Sequence, residues 1–106
     1  MRKIILAVIA LLSISGAASS EDVKCDAMIE VDALWSAAQQ ECGISRTSAG
    51  RDFSGYAKQC AGRVGDAEAK EQRKIGETKF ASQLARSSKD GACAEVLKNY
   101  SRNLIK

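Results

Sequence analysis

Cys25-Asp-Ala-Met28-Ile-Glu-Val31-Asp-Ala-Leu-Trp35-Ser-Ala-Ala38-Gln-Gln-Glu-Cys42 decides the architecture of this 106-residue chain. Met28, Val31, Trp35, Ala38 and Cys42 recur at steps of three and four, which is one stripe of a helix running from about Asp22 to Glu41. Gly43 is placed to stop it. The two cysteines at its ends lie 17 residues apart. On a continuous helix that is about 25 Å, against a Cα limit of about 7 Å for a disulfide. Each must therefore find its partner on another element.

Working outward, a second helix starts near Thr47 or Ser48, either of which can cap it, and carries Phe53, Tyr56, Cys60 and Val64 on one stripe. Gly62 and Gly65 mark its end. A third helix is expected from Asp66, as N-cap, to about Ser87, with a very polar first half and an inward face confined to Ala69, Gly76, Phe80 and Leu84, with Ile75 alongside. Gly76 is a candidate kink. The fourth starts at Asp90 and repeats Cys93, Val96, Leu97, Tyr100 and Leu104. The chain has no proline and no run of alternating β-branched residues, so it reads as helical throughout. Trp35, Phe53, Tyr56, Phe80 and Tyr100 all fall on stripes expected to face the core.

Helices joined by short Gly- and Ser-containing loops lie roughly antiparallel to their neighbours. Running up the first helix and down the second brings Cys25 beside Cys60, and the third climbs back so that Cys93 lies level with Cys42. The expected fold is all-α, a small four-helix antiparallel bundle stapled by Cys25–Cys60 and Cys42–Cys93. Zinc is disfavoured because the cysteines are spaced 17, 18 and 33 residues apart, with no Cys-x-x-Cys and no histidine. Thioredoxin-like redox chemistry and covalent haem attachment lack the same motif.

The first twenty residues differ from the rest. Arg2 and Lys3 precede an apolar run from Ile4 to Leu12 and then small residues from Ser13 to Ser20, the pattern of a cleaved secretory signal peptide. The run is broken at Ser13 and is too short for a membrane anchor. Residues 1–20 are thus read as a signal and 21–106 as one helical domain, periplasmic or secreted, without a stable membrane anchor after cleavage. The mature chain keeps 14 basic and 13 acidic groups, so its net charge is about +1. Residues 21–45 hold six acids against Lys24, whereas residues 46–106 hold thirteen bases against seven acids. Two solvated faces that attract each other on folding account for this split. Nucleic acid is not an expected partner, because the bases are scattered and not interleaved with aromatics.

The sequence offers little chemistry. Having no histidine removes the commonest general base and pH switch. Asp26 and Glu30 sit four apart and could share a proton, but acids early in a helix also favour its dipole. No Ser-x-x-Lys lies in the mature chain, and no Gly-x-Ser-x-Gly or phosphate-loop pattern occurs. Neither catalysis, nor a cofactor, nor a metal is expected.

In size, signal, helicity and disulfides the chain is similar to several groups of small Gram-negative periplasmic proteins, among them acid-stress chaperones and immunity proteins against secreted toxins. The likeness is architectural and carries no residue across. The leading expectation is a non-catalytic protein that binds another envelope or secreted protein through its acidic first helix or its basic later helices, with Asp26, Glu30, Arg63, Lys70, Arg73 and Lys74 as the contact residues. The alternatives are an acid-stress chaperone, driven by carboxylates alone, and a carrier of a small apolar ligand held between helices.

Overall fold

The computed structural model describes residues 20–106. The leader expected over residues 1–20 lies outside that range, apart from Ser20, where the first helix begins. Four helices follow in order: α1 (Ser20–Cys42), α2 (Ser48–Val64), α3 (Asp66–Arg86) and α4 (Lys89–Asn99). Acids Glu21 and Asp22 occupy the first turn of α1. The helix stops where expected, with Gly43 at φ +64° and its N–H donating to the Gln39 carbonyl at 3.1 Å. Thr47 caps α2, its hydroxyl oxygen accepting from the Gly50 N–H at 3.2 Å.

Three local expectations are corrected. Asp66 is the first helical residue of α3, not its cap; Gly65 stands before it and offers no side chain. The cap of α4 is Ser88, whose hydroxyl accepts from the Gly91 N–H at 3.0 Å. The chain is also not helical throughout, for Ser45–Arg46 (β1) pairs antiparallel with Leu104–Ile105 (β2), in the register Ser45 to Ile105 and Arg46 to Leu104. Leu104 is buried as expected, but as part of this short pair and not on the α4 stripe.

The disulfides are Cys25–Cys60 and Cys42–Cys93, with Cα atoms 4.9 and 5.7 Å apart. They fix α1 against the end of α2 and the start of α4, as the antiparallel layout requires. α1 is the central helix, packed along both α2 and α3 and touching α4. For this reason it buries Ile29 and Ala33 as well as Trp35 and Ala38, two faces where the sequence suggested one stripe. At Gly76 α3 lies directly against α1, and a Cβ there would collide with the Glu30 carbonyl oxygen. Helix α3 runs unbroken through that position. The glycine therefore serves close approach and does not end the helix.

The core joins Trp35, Ala38, Ile44, Phe80, Ala92, Val96 and Leu104, with Phe53, Leu84, Leu97 and Tyr100 packed against it. The Trp35 ring lies 4.6 Å from Phe53 and 5.3 Å from Tyr100 between centroids. Tyr56, expected inside with them, is 58% exposed. At its level α2 meets α1 through small Ala57 and the Cys25–Cys60 bridge, so the aromatic ring lies outside, over the disulfide.

Beneath the β pair, Arg46 reaches back along α1. Its guanidinium is paired with Asp32, donates to Gln39 Oε1 at 2.6 Å and to Ser36 Oγ at 2.9 Å, and lies 5.5 Å from the Trp35 ring centroid. One arginine thus joins the loop after α1 to three successive turns of that helix. Two disulfides mark an oxidising, non-cytoplasmic compartment. Among the described residues no helix is long and apolar enough to cross a membrane.

Candidate functional site

A groove of about 880 Å³ lies between α3 and α4, open along its length. Leu34 of α1 and Ile75 of α3 supply the apolar floor; Lys74, Thr78, Ser82 and Arg86 form the α3 wall, and Glu95 and Asn99 the α4 wall. The groove exists because α3, at 21 residues, is nearly twice as long as the 11-residue α4. The short helix cannot cover the whole outward edge of its neighbour. From Glu71 to Arg86 the α3 wall extends about 22 Å at 1.5 Å per residue, enough for several turns of a docked helix.

The six residues expected to form one contact surface are distributed over the molecule. Lys74 lines the α3–α4 groove. Arg73 lies in a smaller hollow on another side of α3, with Asp32, Ser36 and Gln40 of α1. Glu30 is paired with Lys79 at 2.8 Å. Arg63 is held by Glu21 at 2.7 Å and Asp22 at 3.1 Å, which together raise its already high pKa, Asp22 more than Glu21. Lys70 is exposed on the polar first half of α3. Only Glu30, through Lys79, comes near the groove that holds Lys74.

Asp26 and Glu30 do not face each other. Asp26 points to Glu68 of α3, in a hollow lined also by Asp22, Arg63 and Val64. The oxygen Oδ1 of Asp26 is buried and meets no hydrogen-bond donor. Hydrogen bonding to Asp26, and then repulsion by its charge, raises the Glu68 carboxyl above the ordinary glutamate range. Among the described residues no three acidic or cysteine side chains converge into a metal-holding set.

Leu34, Lys79 and Glu95 were not singled out from the sequence. Leu34 lies beside the apolar stripe of α1 and becomes legible only once α1 is known to be the central helix. Lys79 and Glu95 look like any solvated charge until the lengths of α3 and α4 leave an edge between them.

No protein-family model matches this chain, and neither a curated protein nor a solved structure is similar enough to count as a match.

Proposed function

We propose that this is an exported, non-catalytic binding protein whose α3–α4 groove receives an amphipathic segment of another exported protein. The observation that carries this reading is the open groove over Leu34 and Ile75, walled by two helices and rimmed by charges of both signs. Helix-in-groove recognition asks for this form, an apolar floor for the anchors of the guest helix and a polar rim that sets its register. Lys74 and Arg86 on α3 and Glu95 on α4 offer the rim, and Lys79 is already balanced by Glu30. The Cys42–Cys93 bridge ties the start of α4 to α1, which keeps the groove wall in place before binding. A small apolar ligand fits this shape less well, since an open groove leaves much of such a molecule in water. The lack of any histidine in the chain fits a reading without acid–base chemistry.

The test is affinity capture from an envelope extract with the mature protein and with Ile75→Glu, after matched helical circular dichroism and melting temperature are shown for both. A protein held by the wild type and lost with Ile75→Glu supports the proposal. Equal capture by both, or capture lost instead on charge reversal at Lys70 or Arg63, places the contact face elsewhere.

A further inference from the structure

Most acids of α1 with a visible charge partner meet a base: Glu21 and Asp22 meet Arg63, Glu30 meets Lys79 and Asp32 meets Arg46. Asp26 instead lines a hollow together with an acid of α3, Glu68. Ala69, the residue after Glu68, is buried, whereas Cys25, the residue before Asp26, is bridged to Cys60 of α2. Asp26 and Glu68 line one hollow beside these contacts, with one Asp26 oxygen buried and lacking a donor. Arg63, the cation lining the same hollow, is engaged by Glu21 and Asp22.

We propose that Asp26 and Glu68 form a proton-operated latch, in which one proton taken from solvent joins the two carboxyl groups and fastens the start of α3 to α1 as the pH falls. With Glu68 protonated, its O–H donates to the buried Asp26 oxygen, and a repulsive pair becomes a charge-assisted hydrogen bond. The groups facing the pair are Asp22 from α1, Arg63 from α2, and Glu71 and Gln72 from α3; α4 does not line the hollow. Gln72 Nε2 stands 3.5 Å from Glu68 Oε2 and Glu71 adds like charge, so they act on Glu68 in opposite directions.

The direction of the pH effect follows by linkage. The Glu68 carboxyl is raised above its unfolded value, so the stabilisation is fully present below the unfolded value and is lost as pH rises through the folded one. In a chain without histidine, carboxylates are the side chains left to answer mild acid.

The test uses the full mature, disulfide-bonded protein at low ionic strength, since Glu68 is exposed and salt will screen the pair. Glu68→Gln places an amide donor beside Asp26 at every pH. Its melting temperature should exceed that of the wild type by about 2 °C at pH 7, and the excess should vanish on acidification to about pH 3.5, below the ordinary glutamate value. A difference that does not change with pH, or a variant less stable than wild type at pH 7, overturns the proposal. Carbon-13 NMR titration of the Glu68 carboxyl reads the same contact directly. Its midpoint should fall towards the ordinary glutamate value in Asp26→Asn, and an unchanged midpoint overturns the latch.

Discussion

The two ends of this bundle are built differently. Around Trp35 the helices meet through large apolar side chains: Trp35, Phe80, Val96 and Leu104, with Phe53 and Tyr100 against the indole. Around Cys25 they meet through Ala57, Ala69 and the Cys25–Cys60 bridge, with Tyr56 left outside and charges closing the margin. Each end has one disulfide. The spans closed are 35 and 51 residues, and in the chain-entropy account that difference is worth only about 0.3 kcal/mol. What separates the two bridges is their surroundings: Cys42–Cys93 reinforces an end that its core already holds, whereas Cys25–Cys60 supplies much of the cohesion at an end with little core. Disulfides serve small chains in both ways.

The largest effect should come from the core-rich end. Trp35→Ala removes the ring to which Phe53, Tyr100 and Arg46 all pack, and should cost about 4 kcal/mol in denaturant unfolding. A loss below about 1 kcal/mol would fall outside the range for emptying a packed core site and would break the contrast between the ends.

Gly76→Ala is next, and its sign is diagnostic. In an exposed helix the change stabilises by about 1 kcal/mol. Here the new methyl would meet the Glu30 carbonyl, so the α1–α3 contact must open, with an expected loss of about 2 kcal/mol. A gain in melting temperature would show that α3 does not approach α1 as closely as described.

The smallest contrast lies between two arginines. The Arg46 side chain is 10% exposed and that of Arg63 is 50% exposed. Arg46→Gln leaves Asp32 without its cation and should cost about 1.5 kcal/mol. Arg63→Gln, in a solvated pair, should leave the melting temperature almost unchanged. Equal effects would mean that charge at the Cys25 end carries more of the fold than its exposure allows.

The helices, their order and both disulfide pairings are legible because they rest on local spacing, on one length argument, that Cys25 and Cys42 cannot meet on one helix, and on the antiparallel layout, which decides between the two connectivities left. The two-residue strand pair is not legible, since Ser45–Arg46 and Leu104–Ile105 are too short to show alternation; just beyond the pair the N–H of Thr47 donates to the Asn103 carbonyl at 2.9 Å. Spacing puts Tyr56 on the core stripe of α2, which would bury it only if α2 were covered along its whole length; at that level α2 packs through small Ala57, so the ring lies outside. Of the six charged candidates, only Lys74 lines the main groove, for a helix face can be read from spacing but which face a neighbour leaves uncovered depends on relative helix length. The meeting of Asp26 with Glu68 lies 42 positions apart in the chain, and no periodicity links the two.

Hydrogen–deuterium exchange at neutral pH on the Cys25→Ser/Cys60→Ser variant, with Cys42–Cys93 intact, tests the difference between the ends most directly. The account predicts faster exchange confined to the first turns of α1, the last turns of α2 and the first turns of α3, while amides around Trp35, Phe80 and Val96 keep their wild-type protection. Exchange that rises uniformly across all four helices would contradict it, since the two ends would then stand or fall together.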